Sequence, residues 1–570
     1  MRIDAKQEGP RQSMSWLHTW ASLILGWLLY AIFLTGTLSF FQNEITVWMK
    51  PELHQSVPQN SQIQQMQLAL NYLQKNHPNA GSWNIQLPNA RQNTTILTVR
   101  KIGEDLRARR GGERITLDSA TGEVLEARDT RGGSFLYRFH FELYGLPRLW
   151  TRWLVGIATL LMLVAIISGV ITHKKIFKDF FTFRTGKGQR SWLDAHNATA
   201  VLALPFHIMI TFSGLLLLLF TLMPWGINQI YENRGQFLQE QSRALVENKE
   251  NRTERAEGRN TERQNNSQAL GENTEQAGEK RQQRQKLEAQ PAPLADIAPI
   301  LATAQQKWKD NPVGSISIIA PNTNQATIEL RALLGESVAH RNVYDSLEFN
   351  AVTGQNITDD SSRLKNPSVP MAIYNVVTVL HEARGVDLAL RWLLFCSGIV
   401  GTLMVATGLI LWCVKRAPQQ QKQGYKSLGY RVVEVTNIAA IIGLPIACAA
   451  YFYANRFIPA EMDLRSDWEI RSFFTIWLLS LMYAALRPHR QAWLDLLAFA
   501  TLAFALLPVI NFMTGGQALW NSIANGQWMI ASFDLAMWLL AILFFYSYQK
   551  VKNHKGLPVK KAKVTQEPEA

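Results

Sequence analysis

Eight apolar runs are spaced along the 570 residues, each about the length needed to cross a hydrocarbon core of roughly 30 Å. They fall at about residues 16–41, 152–172, 198–223, 390–413, 432–454, 473–486, 492–510 and 528–548. A chain of this kind folds as an α-helical integral membrane protein, because lipid leaves a spanning backbone no partner but itself. The first run is too long for a signal-peptide core and lacks a small-residue cleavage site after it, so it reads as a retained helix. Charge then sets sidedness. The chain carries 58 Lys plus Arg against 44 Asp plus Glu, and the excess lies beside the apolar runs. Residues 173–190 hold six basic side chains and one acid, 415–431 hold five and none, and 550–563 hold six, which makes these segments cytoplasmic. The charge is topological, and nucleic acid is excluded as a partner. Cys396, Cys413 and Cys448 all lie in or at the end of runs, so no disulfide framework forms in the polar parts.

An internal repeat follows from the spacing. His18 precedes Thr35-Gly36 by the same interval as His196 precedes Ser213-Gly214. Arg152-Trp153 leads to Ser168-Gly169 at the offset by which Arg391-Trp392 leads to Thr407-Gly408. The first four spans therefore read as an internal duplication. Between paired spans lie two polar regions, each reading as a helix followed by strands (63–74, 82–86 and 94–99; 297–308, 315–319 and 326–330). Each closes on a Thr-Gly turn, at Thr121-Gly122 and Thr353-Gly354, and then reaches a histidine, His140 or His381, before the next span. The segments are residues 13–41, 150–173, 192–224 and 390–414 for the first four spans, 432–548 for four more, and 549–570 for a basic tail. The polar regions are 42–149 and 225–389, the latter with an insert at 239–290. That insert has too little apolar surface to join a core.

These motifs resemble those of the PepSY-associated transmembrane family, through Trp16-Leu17-His18-Thr19-Trp20, Phe135-Leu136-Tyr137-Arg138-Phe139-His140-Phe141, and Arg152-Trp153-Leu154-Val155-Gly156 running to Ser168-Gly169. The resemblance covers roughly residues 13–416. Eight spans with the basic segments inside put both termini in the cytoplasm and the two polar regions outside, and the resemblance implies a multi-pass protein of the bacterial inner membrane in which those regions are two small α+β PepSY-like domains in the periplasm. Family members include di-haem reductases that release iron from siderophores, which implies haem b as cofactor, two of them, and a ferric siderophore as substrate.

Six of the eleven histidines sit in or at the ends of spans: His18, His140, His173, His196, His207 and His381. Ionisable side chains in a bilayer are costly, and imidazole is a common axial ligand of haem iron. His196 and His207 are 11 residues apart, which on a straight helix is roughly 16 Å of rise on one face. His173 offers a ligand near the level of His18 and His196. His140 and His381 either hold or flank an outer haem or belong to a substrate surface, and sequence leaves the axial pairing open. His54, His77, His340, His489 and His554 read as solvated. Gly26, Gly36, Gly156, Gly169, Gly214, Gly398, Gly401 and Gly408 either admit a flat macrocycle or allow close helix packing. Glu434, Asp495 and Asp534 suit either helix-to-helix hydrogen bonding or a quinol site.

No nucleotide fingerprint or hydrolytic triad appears on the cytoplasmic side, so electrons come from a quinol or a separate cytoplasmic reductase. The leading expectation is a haem-b conduit that reduces a periplasmic ferric siderophore. The alternatives are a membrane-anchored PepSY sensor or binding module, and a transporter, against which stands the expectation that no helix pair is broken at matching positions.

Overall fold

A computed structural model describes residues 9–554 except 59–60, 105–110, 174–175, 181–183, 185, 226–228, 230–289, 336, 341–342 and 359–368. Most of the insert expected at 239–290 lies outside the described residues. Six helices are long and apolar enough to cross a membrane, and two bent helix pairs bring the number to eight if each pair is one span. The protein is a multi-pass helical membrane protein with a small antiparallel sheet.

The first bent pair is α1 (Pro10–Ile24) with α2 (Gly26–Ser39), at 65°. A short helix α3 (Gln42–Trp48) follows, then α4 (Gln62–Asn76), strands β1 (Ser82–Gln86), β2 (Thr95–Arg100) and β3 (Glu113–Leu117), and α5 (Gly133–Glu142) leading into the straight span α6 (Arg148–Thr172). The second bent pair is α7 (Gln189–Leu202) with α8 (Leu204–Leu217), at 67°. It is followed by α9 (Ile297–Trp308), β4 (Val313–Ile319), β5 (Thr327–Gly335), β6 (Tyr344–Asn350), α10 (Val369–Glu382) and the long span α11 (Leu388–Gln423). Four spans complete the chain: α12 (Leu428–Phe457, with a π-helical turn at Ala439–Gly443), α13 (Arg465–Leu486), α14 (His489–Met513) and, after the short α15 (Leu519–Ala524), α16 (Trp528–Lys552).

The bends overturn the expectation that no pair is broken at matching positions. The breaks fall at Leu25 and Ala203, each seven residues beyond His18 or His196. The breakers differ, Gly26 opening one second half and Pro205 sitting in the first turn of the other, so no shared signature marks the two sites. Pro tolerates a helix start because its missing N–H has no partner there anyway.

The two polar regions share one sheet instead of forming two. The strand order is β3-β2-β1-β4-β5-β6, antiparallel throughout, with β1 joined to β4 about the pair Asn84↔Ser317. Each of these strands would otherwise be an open edge, and pairing them satisfies both rows of backbone groups. Met66, Ala69 and Leu73 of α4 and Ile297, Ile300 and Leu301 of α9 cover the joined sheet in a single core with Ile85, Leu97, Ile316 and Leu330. Both Thr-Gly turns form alike. Gly122 (φ 77°) and Gly354 (φ 72°) take the left-handed conformation that Gly adopts without penalty, while Asp118 and Asn350 each accept two backbone N–H groups across the turn.

The last four spans dock on the first half through buried polar contacts. Trp48, at the end of α3, stacks on Phe533 at 4.3 Å and donates its Nε1 to Asp534 at 2.8 Å, while Asn511 Nδ2 reaches the same carboxylate at 3.2 Å. The guanidinium of Arg456 lies over the Trp48 ring. Asp534 thus serves helix-to-helix bonding. Asp495 also bridges helices, accepting from Tyr483 Oη at 2.6 Å, and accepts from Gln491 of its own helix, whereas Glu434 pairs at 2.7 Å with Lys426 in the connection before its own helix.

His54 corrects the expectation of a solvated side chain. It is 1% exposed, its Nε2 lies 3.0 Å from the Val47 carbonyl, and its Nδ1 accepts from the Gln517 N–H at 3.2 Å. Burial, reinforced by the nearby Arg456 and Arg128 charges, pushes its pKa down to about 3.

Candidate functional site

The bends carry histidines of two spans into contact. His18 on α1 and His196 on α7 face each other with ring centroids 6.2 Å apart and ring planes at 59°. Beyond the spans' other ends, His140 on α5 and His381 on α10 face each other at 6.0 Å and 48°. Each ring is fixed from behind by a neighbouring helix. His18 Nδ1 lies 2.8 Å from the Ala165 carbonyl, His196 Nδ1 3.0 Å from that of Met404, and His140 Nδ1 2.8 Å from that of Ile32. A carbonyl only accepts, so in these three rings Nδ1 carries the proton and Nε2 keeps its lone pair. His381 Nδ1 lies 2.8 Å from Ser213 Oγ, whose own proton goes to the Met209 carbonyl at 2.6 Å, which leaves the hydroxyl oxygen to accept.

The Ser/Thr-Gly pairs explain how the rings fit. A Cβ on Gly169 would stand 3.1 Å from His18, on Gly408 3.1 Å from His196, on Gly36 2.6 Å from His140 and on Gly214 3.3 Å from His381. Each histidine therefore lies against the glycine of an adjacent helix. Of the two uses the sequence left open for these four glycines, the space goes to imidazole edges. Gly26 instead admits Leu409, and Gly398 admits Thr37, which is ordinary close packing.

Spacing decides what such pairs can do. A metal–imidazole bond of about 2 Å, with its nitrogen about 1.1 Å from the ring centre, separates two rings on opposite sides of one metal ion by about 6 Å. Both pairs meet that distance. Fixing Nδ1 by a carbonyl or hydroxyl is the outer-shell arrangement that orients metal-bound imidazoles and sets their tautomer. Among the described residues no three His, Cys, Asp or Glu side chains converge on one point. Two opposed imidazoles thus suit a metal whose remaining ligands lie in a plane between the rings, as in a macrocycle. A cleft accompanies each pair, with about 1640 Å³ of empty space including its mouth beside His18 and His196, and about 1540 Å³ beside His140 and His381. Leu29 and Met162 line both clefts and form the wall between them.

His207 and His173 lie along the first cleft without facing another imidazole. The 67° bend falls between His196 and His207, so the straight 16 Å rise on one helix face does not apply. His207 is 0% exposed and neither ring nitrogen has a hydrogen-bond partner; the Ala200 carbonyl is near the ring but outside hydrogen-bond geometry. Phe33 meets it edge-on at 6.4 Å. His173 Nε2 lies 3.2 Å from Asn197 Nδ2.

Sequence reasoning missed what holds α5 in place. Phe135 and Phe139 of α5 pack on Phe473 of α13 at 5.2 and 5.7 Å, and Phe139 also meets Trp477 at 6.1 Å. The Phe473-Phe474 pair was readable as apolar but not as a partner of the helix that carries His140.

The fold and these residues define a multi-pass helical membrane protein in which one pair of facing histidines lies on two spans and a second on the helices that precede two others. The model of the PepSY-associated TM region family matches residues 15–415, and the chain belongs to that family. The match takes in all four paired histidines and stops before α12. No curated protein matches the chain.

Proposed function

We propose that the protein is a haem-b electron conduit of the bacterial inner membrane that reduces a ferric siderophore in the periplasm. The observation that carries this reading is the pair of imidazole pairs at 6.2 and 6.0 Å, each fixed through Nδ1. In this reading His18 with His196, and His140 with His381, would hold the two haem irons. His173 and His207 line the first cofactor's cleft. Bound at these pairs, haem b supplies a one-electron Fe(III)/Fe(II) couple. The chain's own work is to keep four imidazoles oriented through their Nδ1 contacts, and to keep water out of the wall formed by Leu29 and Met162.

The equal spacing of the two bends and the matched Thr-Gly turns support a duplicated unit, and the basic segments 173–190, 415–431 and 550–563 support cytoplasmic termini with the joined sheet, from residues 42–149 and 225–389, in the periplasm. A ferric siderophore holds iron through hard oxygen donors, and gaining one electron lowers the metal's charge and weakens that hold. Electrons come from a quinol or a cytoplasmic reductase. With a quinol, two ferric centres are reduced for each quinol oxidised, and two protons are released.

The test uses vesicles carrying the protein, reduced with dithionite and freed of excess reductant, to which a ferric siderophore is added outside with a ferrous chelator. Reoxidation of the haem in step with trapped Fe(II) is expected. Stable reduced haem and no Fe(II) with several siderophores would refute the reductase reading and favour a sensor module.

A further inference from the structure

The first cleft holds more polar atoms than its imidazole pair uses. Where α6 ends beside α11, Thr172 Oγ1, His173 Nδ1 and Trp412 Nε1 are each buried without a hydrogen-bond partner, and Lys415 and Arg416 line the same end. Leaving such atoms unmade is costly, and native structures contain few of them. All of these groups can donate. An indole N–H donates only. The Asn197 amide nitrogen beside His173 Nε2 is itself a donor, so Nε2 accepts and the proton sits on Nδ1. Arg416 lies 3.9 Å over the Trp412 ring, and neither it nor Lys415 has an acidic partner among the described ion pairs. Fully buried His207 marks the same cleft as built for a ligand from its deep end, since both of its nitrogens lack a protein partner.

We propose that this end of the first cleft is a carboxylate site, formed by Trp412, Thr172, His173, Lys415 and Arg416, that receives the two propionates of the haem held by His18 and His196. The proposal rests on the haem reading above and adds which way round the macrocycle enters. Three donors without partners and two unpaired cations match acceptor oxygens bearing negative charge, and charge-assisted hydrogen bonds are the stronger kind. Donors on both α6 and α11 tie the cofactor to the two helices whose carbonyls, Ala165 and Met404, fix the axial rings.

The experiment isolates the first cleft in the full-length chain by His140→Ala with His381→Ala, removes haem, and titrates in detergent with haem b and with its dimethyl ester. The ester keeps the iron and the macrocycle but masks both carboxylates. Haem is expected to bind tighter than the ester by about tenfold or more, the worth of a charge-assisted hydrogen bond. Trp412→Phe, and separately Lys415→Gln with Arg416→Gln, should bring that ratio toward one by weakening haem while the ester's affinity stays. Ester binding in the variants shows that the cleft is still formed. Equal affinity for both forms before these substitutions, or an undiminished ratio after them, would overturn the proposal while leaving the haem reading intact. Binding of neither form would overturn both.

Discussion

Replacing Gly36 by Ala should cost the protein one of its two paired centres. The added Cβ would stand 2.6 Å from His140 Cε1 and 2.7 Å from its Nδ1. Carbon atoms in contact normally keep about 3.5–4.0 Å, so the ring has to withdraw by about 1 Å. It has nowhere equivalent to go. Its Nδ1 is tied at 2.8 Å to the Ile32 carbonyl, one turn earlier on the same helix, and its other side faces His381 at 6.0 Å. Losing an outer-shell partner of this kind typically lowers metal affinity about 10–100-fold, and forcing a methyl group into a filled site adds roughly 1–3 kcal/mol of strain. Gly214→Ala is milder, because its Cβ would lie 3.3 Å from His381. Gly26→Ala is the control on the same span, since its close neighbour at 2.7 Å is a Leu409 methyl group that can rotate away. Pyridine haemochrome per mole of purified chain should fall from two toward one in Gly36→Ala and stay near two in the other variants. Full haem with an unchanged spectrum in Gly36→Ala would refute the reasoning.

Three further outcomes follow from buried polar groups. Arg465 pairs with Glu469, both side chains 0% exposed, and Glu469 also accepts from Thr130 Oγ1 and Asn455 Nδ2, so Arg465→Met should destabilise the protein by about 3–5 kcal/mol, seen as a lower thermal midpoint in detergent. His54 has its pKa pushed down to about 3 in the fold against an ordinary 6.5, so its contribution is complete above pH 6.5 and is lost as pH falls from there toward 3. Between pH 7 and pH 5 this is on the order of 2 kcal/mol, and His54→Gln should flatten that part of the stability-against-pH curve. His207 faces no second imidazole, so His207→Leu should keep both low-spin signals in electron paramagnetic resonance, whereas His196→Ala should lose one.

Local pattern made much of the fold legible. The helix at 297–308 and the strand at 82–86 have the bounds that capping, alternation and flanking turns suggest, and the eight apolar runs coincide with the six long helices and two bent pairs. Distant partners were not legible. Alternation in β1 reads the same whether its neighbour is water or β4, so the joining of the two sheets is invisible in either half alone. His54 looks like a loop residue until Gln517, 463 positions later, closes over it. The equal intervals from histidine to Ser/Thr-Gly were visible, but not that His18 rests on Gly169 of the next span and not on Gly36 of its own. The bends were not legible because Gly26 and Pro205 break their helices by different means, and a helix drawn straight put His207 roughly 16 Å along one face from His196.

The most direct test of the central claim is the haem content and spin state of the purified, full-length protein. Two haem b per chain, both low-spin as bis-imidazole ligation requires, with one lost on His18→Ala and the other on His381→Ala, is the expected result. Protein purified under haem-sufficient expression with no Soret absorption, or with a spectrum indifferent to all four paired histidines, would contradict it.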